Sequence, residues 1–431
     1  MPSSMPYSSL IAALAPPGAG ARRAMVVGGG PVGLSAALAL VQAGVETVLI
    51  TAAPPPAGTG TEARSAALFP ASLALLDHLG VFDACRAACA PLTAIRLFDD
   101  TGGLLRAPEV LFAAAEIGAA SFGQNVPNAV LGAALRNALA RQKGLTWHEN
   151  CAVLALSNDD IGVHLTLSDG SVVSGALVVA ADGRKSVCRA GAGIGVKEWR
   201  YDQVAVTAAF SHQRDHDGVS TEFHRSAGPC TTVPLPGRAS TLVWVERPAI
   251  AARLLAMDDA AFSAALETRL NGLLGSVLSV TPRGKFPLSG LQADTYAARR
   301  VMLVGEAAHV MPPIGAQGLN LGLRDVACLV DCVTDALAAG RDPGGAEALA
   351  AYNTARATDI GMRMTAVDAL NRSLLTGLMP VKLARGFGLH VISAFGPLRR
   401  RLIAEGLTPS GVTPRLMRPL EQSEPKTSKP C

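Results

Sequence analysis

Residues 301–326 read VMLVGEAAHVMPPIGAQGLNLGLRDV, and the order of residue types in this stretch decides how the rest of the chain is read. Val301-Met302-Leu303-Val304 is a short buried strand. Gly305-Glu306 is a turn carrying an acid, and a loop then runs into a helix punctuated by glycines. Gly315 and Gly318 lack the Cβ that would hold a ligand away from the backbone. From Leu319 onward, Leu321, Leu323, Val326 and Leu329 recur at roughly helical spacing. A helix starting here aims unpaired N–H groups, and about half a positive charge, at whatever lies in the loop. That suits an anionic or electron-rich ring.

Working outward, a second glycine cluster stands near the start of the chain. Ala24 to Val27 is an apolar strand that runs into Gly28-Gly29-Gly30-Pro31-Val32-Gly33 and then a helical pattern from Leu34 to Ala43. Gly44 stops the helix, and Thr47 to Ile50 forms the next strand. Strand, G-x-G-x-x-G and helix in this order make the dinucleotide fingerprint. Gly28 allows the tight turn, Gly30 admits the pyrophosphate, and Gly33 lets helix and strand pack closely. The fingerprint expects an acid at the end of the second strand to hold the adenosine ribose, and Thr51 stands there instead. A hydroxyl can bond a ribose, without the charge-assisted strength of a carboxylate. Glu62 and Arg64 are the further candidates for that contact.

Arg64 to Leu79 reads as a helix capped by Gly80, with Arg64 placed as a phosphate or cofactor-edge contact or else a surface arginine. Asn128 to Gln142 is another helix. Strands follow at Leu145–His148, Cys151–Leu156, Gly162–Leu167 and Ala176–Ala181. The last delivers Ala181-Asp182-Gly183-Arg184-Lys185-Ser186, which reads either as a nucleotide-facing loop or as an ordinary hairpin turn. Between Tyr201 and Arg247 the pattern alternates, with strands at Val204–Phe210, Thr221–His224, Thr231–Leu235 and Thr241–Val245. Such a block inside an α/β chain reads as a second domain whose sheet covers a pocket. Helices are expected over Asp258–Leu270 and Gly345–Leu370. Pro380 to Ala404 carries Lys382, Arg385, Arg399, Arg400 and Arg401, no acid, and many apolar residues between them. It suits an anionic membrane surface equally with packing on the nucleotide domain or a sister subunit.

The totals agree with a globular chain. With 431 residues, 49% hydrophobic and 17% charged, it has material for two domains and too little charge for disorder. A scattered net charge of +4 and 4% aromatic residues argue against nucleic acid. Among eight cysteines there is no CxxC. Cys85/Cys89 and Cys328/Cys332 fall four apart, one helical face each, and read as reduced core residues. Met1 to Ala21, rich in Pro, Ser and Ala with no early positive charge, reads as a flexible tail and not a signal peptide. Ala24 to Val45 is uncharged and about bilayer length, but its glycines and Pro31 belong to a nucleotide turn. The protein is therefore expected to be soluble, in the cytoplasm, or peripheral on the inner membrane. His212 and His216 form an HxxxH with no third ligand nearby, so no metal is expected.

Three motifs now stand in order: GGGPVG, AADGRKS and GEAAHVMPPIGAQGLNLGLRD. Together they resemble the single-component flavin aromatic hydroxylases of the p-hydroxybenzoate hydroxylase fold, most of all the ubiquinone-biosynthesis hydroxylases (2-polyprenyl-6-methoxyphenol hydroxylase-like). Local support comes from Trp199-Arg200-Tyr201-Asp202-Gln203, Gly228-Pro229 with Val233-Pro234-Leu235, Leu242-Val243-Trp244 and Phe286-Pro287-Leu288. The resemblance runs from Ala24 to about Gly406. It implies an α/β fold: an FAD-binding Rossmann-like domain of the glutathione-reductase type, an inserted antiparallel-sheet substrate domain and a helical C-terminus. The implied division gives residues 22–92, 128–198 and 290–375 to the FAD-binding domain. Residues 93–127 and 199–289 form the substrate-covering sheet, residues 1–21 the tail, and residues 376–431 a basic helical end.

By the same likeness FAD is the cofactor. Gly28, Gly30 and Gly33 cradle its pyrophosphate, Asp182 and Gly183 form an Asp-Gly motif associated with FAD and NAD(P)H, and Gly305-Glu306 matches a Gly-Asp pair on the ribityl or pyrophosphate region. The acid here is one methylene longer. Pro312, Gly315 and Gln317 would pass beside the isoalloxazine, and the helix start at Gly318-Leu319-Asn320 would stabilise negative charge on the reduced ring. Reduced flavin with O2 gives a C4a-hydroperoxide, which hydroxylates an activated phenol, so no side-chain nucleophile is required. The protein positions the phenol, favours its phenolate and keeps water out. His309 lies beside the flavin loop and reads as a structural histidine bonded to backbone.

The implied substrate is a polyprenylated phenol of ubiquinone biosynthesis, with electrons from NAD(P)H or a separate reductase. A soluble aromatic substrate stays open, as does a non-catalytic FAD-binding role in a quinone-biosynthesis complex. A halogenase is disfavoured because Trp147, Trp199 and Trp244 are far apart and make no Trp-x-Trp-x-Ile-Pro motif. A plain NAD dehydrogenase would leave two motifs unexplained. A homodimer, a multiprotein complex and a membrane contact are all compatible with the basic end.

Overall fold

The computed structural model describes residues 23–52, 64–100, 109–159, 162–375, 395–407 and 412–420. The expected N-terminal tail, Glu62, Lys382 and Arg385 lie outside these residues. A six-stranded sheet runs in the order Ala297–Ala298, Val301–Leu303, Leu177–Ala180, Ala24–Val27, Thr47–Thr51, Leu145–Glu149. The last five strands are parallel. Four of them are short apolar runs buried along their whole length, as expected of parallel strands covered on both faces. The Pro31–Gln42 helix packs against both Asn128–Leu139 and Gln317–Ala338 beside this sheet. Val153–Asn158, Val163–Leu167 and Val172–Gly175 form a separate antiparallel meander.

A second, larger sheet is ordered His309–Val310, Gly284–Ala293, Val196–His212, Ala239–Glu246, Gly228–Leu235, Val219–Arg225, Ala94–Asp99, Val110–Ala113, with Val277–Val280 also paired to Val196–His212. All its pairs are antiparallel except Val219–Arg225 with Ala94–Asp99. Side chains alternate between its faces. On one face Val206, Phe210, Phe223, Cys230, Leu242 and Trp244 share a core with Leu254 and Phe262 of the Pro248–Ala256 and Asp259–Arg269 helices. The opposite face carries Ala205, Val245 and Leu288, and also Ile95 and Val233. That face looks toward the parallel-sheet half: Thr241 Oγ1 lies 2.9 Å from Ser65 Oγ.

Several expected elements differ. Arg64–Leu79 is not one helix but a strand, Ser65–Leu68, followed by a helix, Pro70–His78. Pro70 has no N–H to donate and disfavours helical backbone at the residue before it, so Phe69 stays extended at φ −82° and the helix starts at the proline. The strand expected at Val204–Phe210 spans Val196–His212, 17 residues, because it serves partners on both sides. A helix at Pro248–Ala256 precedes the expected one, which covers Asp259–Arg269. The long helix runs from Ala346 to Leu375. Cys328 and Cys332 both lie on Gln317–Ala338, whereas Cys89 falls beyond the short Phe82–Arg86 helix that holds Cys85. Among the described residues no helix is long and apolar enough to cross a membrane.

Candidate functional site

The three motifs meet at the carboxyl ends of the parallel strands. Gly28 adopts φ +132°, and a Cβ there would stand 2.2 Å from the Ala181 carbonyl oxygen. A Cβ on Gly33 would stand 2.2 Å from the Gly28 oxygen. The first and third glycines are thus fixed by the chain itself, one by the strand that leads into Asp182, the other by its own turn. Gly30 differs: no described residue lies within 4 Å of where its Cβ would be. It is exposed, and the Pro31–Gln42 helix behind it has no side-chain cap, so its first N–H groups point into this open space.

Val32 brings the first motif to the third. A Cβ on Gly305, at φ +60°, would meet Val32 at 3.3 Å, and one on Gly322 would stand 2.8 Å from Val32 Cγ2. Asp182 joins them from the strand between. One carboxylate oxygen accepts the Cys188 N–H at 3.1 Å. The other, Oδ1, is buried and has no partner among the described residues. A buried carboxylate oxygen without a donor is costly, so a bound hydroxyl or N–H is the natural complement. Gly183 sits beside it at φ +82° with open space over its Cα. Arg189, which no sequence motif marks, ties this loop to the third motif by donating to Ala307 O at 2.9 Å and Arg184 O at 2.8 Å.

In the Pro312–Asn320 loop, Ala316 takes φ +53° and turns the chain into the Gln317–Ala338 helix, which has no side-chain cap. No described residue would touch a Cβ on Gly318, and only Gln317 Nε2, 4.0 Å away, would approach one on Gly315. Pro312 is buried. Two expected contacts are otherwise engaged. Asn320 is buried, its Oδ1 accepting from Phe69 N and Ser72 Oγ while its Nδ2 donates to Ala67 O and Ala316 O. Gln317 Oε1 accepts from Arg363, and its Nε2 donates to Gly315 O. Side chains at these two positions hold the loop. Leu319 is half-buried against the core, Glu306 is exposed, and Arg64 is exposed just before the Ser65–Leu68 strand.

His309 does not bond backbone as expected. Its Nε2 lies 2.7 Å from Asp325 Oδ2, which also accepts the Gly305 N–H at 2.9 Å. Asp325 Oδ1 accepts from Arg356 Nε at 2.7 Å. Burial alone would raise the Asp325 pKa, but His309, Arg356 and the Gly305 N–H outweigh it and hold the group below the usual carboxylate range. This fully buried acid therefore anchors the GEA turn to the long helix. His212 and His216 have both ring nitrogens in hydrogen bonds, to Arg214 O and Ser240 Oγ, and to Leu235 O and Gly218 N.

At the expected ribose position, Thr51 is only 2% exposed, and its hydroxyl accepts the Trp147 indole N–H at 3.1 Å. An acid does stand at this sheet edge, one strand over: Glu149 is in register with Thr51. It pairs with Arg136 at 3.4 Å, and Arg136 lies over the Trp147 ring. Arg136 Nη2 is 3.4 Å from where a Gly29 Cβ would stand, beside the glycine turn.

This geometry has counterparts. A family model described as an FAD binding domain matches residues 22–366. Ubiquinone hydroxylase UbiL of Rhodospirillum rubrum is 38% identical over 399 residues, which cover 91% of this chain and 92% of the relative. The 3-demethoxyubiquinol 3-hydroxylase of Escherichia coli is 32% identical, covering 89% and 97%. In fold, the chain is similar to p-nitrophenol 4-monooxygenase PnpA from Pseudomonas putida, with a TM-score of 0.73 at 19% identity, over 90% of this chain and 98% of that one.

Proposed function

This chain belongs to the FAD binding domain family, and on that premise we propose that it hydroxylates the ring of a lipid-tailed phenol in ubiquinone biosynthesis. It is an FAD-dependent monooxygenase; bound, reduced FAD would supply the electrons that activate O2, one atom of which enters the ring. The observation that carries the cofactor reading is the meeting of three motifs around open backbone at Gly30 and Gly318 and the unpartnered Asp182 Oδ1.

In this reading Gly28, Gly30 and Gly33 shape the pyrophosphate cradle, Asp182 and Gly183 meet a cofactor hydroxyl, and Gly305-Glu306 faces the ribityl chain. Arg64 guards the outer edge of the flavin. Pro312, Gly315 and Gln317 line the ring, and at the Gly318-Leu319-Asn320 helix start the free N–H groups of Gly318 and Leu319 oppose its negative charge while Asn320 fixes the loop. Support comes from the uncapped helix ends and from the way Asn320 and Asp325 fix the loop and the turn from behind. The large sheet is assigned to cover the substrate. A lipid tail calls for contact with a membrane surface, and the Gly396–Leu407 helix offers the exposed Arg400 and Arg401, while Arg399 pairs with Glu116. In this reading the protein works in the cytoplasm, peripheral on the inner membrane.

Purified protein should carry FAD, oxidise NAD(P)H or accept electrons from a reductase, and convert a prenylated phenol to a product heavier by one oxygen atom. Folded protein without flavin would sink the cofactor assignment. Bound FAD with conversion of simple phenols only would move the substrate to a soluble aromatic.

A further inference from the structure

We propose that His224, held by Glu222, is the group that takes the proton from the substrate phenol. The assignment rests on the phenol-hydroxylase reading above and on the placement of these two residues on the large sheet.

Glu222 and His224 lie two apart on the Val219–Arg225 strand and therefore on one face. The intervening Phe223 stacks on Phe98 at 4.9 Å on the helix-covered face. Glu222 is in register with Thr231, which is two residues from Val233. Val233 shares an apolar cluster with Ile95, Ala67, Phe69 and Ala316, the last being the residue that turns the flavin loop into its helix. The next strand brings Thr241 opposite Val233, bonded to Ser65 of the parallel-sheet half. Glu222 thus stands about 7 Å, and His224 about 14 Å, along the neighbouring strand from the point where the sheet meets the flavin loop. Ala205, Val243, Val245 and Leu288 make an apolar patch on this face, interrupted by Thr207, Thr231 and Thr241.

The local chemistry suits a base. His224 Nε2 lies 2.6 Å from Glu222 Oε1, and Thr231 Oγ1 donates to Oε2 at 3.3 Å. Both residues are nearly buried, His224 at 4% and Glu222 at 9% exposure. A carboxylate accepting from Nε2–H fixes the tautomer in which Nδ1 has a free lone pair. No protein group among the described residues bonds Nδ1. In the step, the phenol O–H bond breaks, its proton forms an Nδ1–H bond, and the electron pair stays on the oxygen as phenolate. Glu222 balances the imidazolium charge. Other charged groups around the pair are Asp99, in register with His224 and engaged in its own interaction, and Asp100, which pairs with Arg225 at the strand end. No lysine or arginine occupies the positions in register with Glu222 or His224, which are Leu97, Asp99, Pro229 and Thr231.

The test uses FAD-loaded protein, 2-geranylphenol in detergent and two variants, His224→Gln and Glu222→Gln, each first checked for wild-type flavin content and thermal midpoint. Without reductant, wild type should bind the phenol with a phenolate absorbance at a pH where the free phenol is neutral, and His224→Gln should lose that absorbance. With reductant, His224→Gln should lower kcat about 10²- to 10⁴-fold near pH 7 with KM little changed. The rate should recover as pH approaches about 10, where phenols ionise unaided. Glu222→Gln should show a smaller loss, about 10-fold, since the imidazole is present but unheld. If His224→Gln keeps the wild-type phenolate spectrum and pH profile, the base assignment is overturned while the hydroxylase reading stands. A wild type that takes up no phenol overturns the hydroxylase reading and this assignment with it.

Discussion

The glycines of the first motif have separate duties, and single methyl groups tell them apart. Gly28→Ala forces a side chain onto the Ala181 carbonyl at 2.2 Å and holds φ +132°, so it should cost on the order of 3 kcal/mol, seen as a lower urea midpoint. Gly30→Ala adds its methyl to open space at φ −76°, which any residue adopts. Its stability should stay within about 0.5 kcal/mol of wild type while FAD is released at least tenfold more readily, measured by flavin fluorescence. Equal loss of stability in both would mean that the cradle is part of the protein's own packing. The G-x-G-x-x-G spacing makes these positions legible in the amino-acid sequence, because each glycine answers a local demand of one turn. The buried acid behind them is less so: Asp325 gathers Gly305, His309 and Arg356 from 20, 16 and 31 residues away, and no local pattern reports that. Asp325 and Asp359 are both held below the usual carboxylate range. Burial opposes this in each case and is outweighed by His309 and Arg356 at Asp325, and by Arg356, Arg324 and Arg363 at Asp359. A carboxylate depressed in the folded state contributes its full stability above about pH 3.9, and that stability is lost as pH falls through the lower folded value. Asp325→Asn should therefore destabilise at pH 7 by about 3 kcal/mol, leaving Arg356 short of a buried partner, and flatten the acid limb of stability against pH. An unchanged acid limb would remove Asp325 from that account.

Elements are legible in the sequence to the extent that their burial is simple. Val301–Leu303, Leu177–Ala180 and Ala24–Val27 are covered on both faces and appear as unbroken apolar runs. Ser65–Leu68 is not legible in this way. SAAL has helix-forming alanines, is mostly half-buried, and becomes a strand because Gln124–Pro127 pairs with it and Pro70 stops a helix from reaching back. The paired Glu222 and His224 are hidden for a related reason. Alternation along the strand shows that they share a face, but only the docking of the sheet on Ser65 and Ala316 shows which way that face looks. The join between elements depends on Asn320, whose amide makes four hydrogen bonds linking the Ser65–Leu68 strand, the Pro70–His78 helix and the flavin loop. Asn320→Ala leaves the buried Phe69 N without its partner and removes a donor from the half-buried Ala67 O, so a loss of about 2–4 kcal/mol is expected. Flavin release should accompany it, because the loop loses its fixed end. A variant that loses stability yet keeps FAD as tightly as wild type would separate the loop's position from cofactor binding.

At the scale of the whole molecule the two large sheets are interleaved along the chain. The parallel sheet takes strands from residues 24–51, 145–149, 177–180 and 297–303, while the large sheet takes residues 94–113, 196–246, 277–293 and 309–310. The long Ala346–Leu375 helix then joins both. Tyr352 donates to Leu303 O at 2.8 Å in the parallel sheet, and Asn371, fully buried, donates to Gln203 at 2.9 Å in the large one. Neither sheet can be completed until the last third of the chain has arrived, which predicts slow folding governed by long-range pairing. It also predicts how cofactor binding is felt. A ligand held jointly by residues near 30, 182 and 318 joins segments whose separation is the unfolding event, so its binding energy counts toward global stability. Free FAD at about 100 times its dissociation constant should add about 2.7 kcal/mol, with the thermal midpoint rising further as the logarithm of FAD concentration. ADP, which carries the pyrophosphate but lacks the ring, should engage the first motif without the Pro312–Asn320 loop and give a smaller rise. Gly30→Ala should weaken the response to both, since both use the cradle. If FAD and ADP shifted the midpoint equally, the third motif would contribute nothing to holding the ring, and the loop from Pro312 to Asn320 would have to be read as a packing element alone.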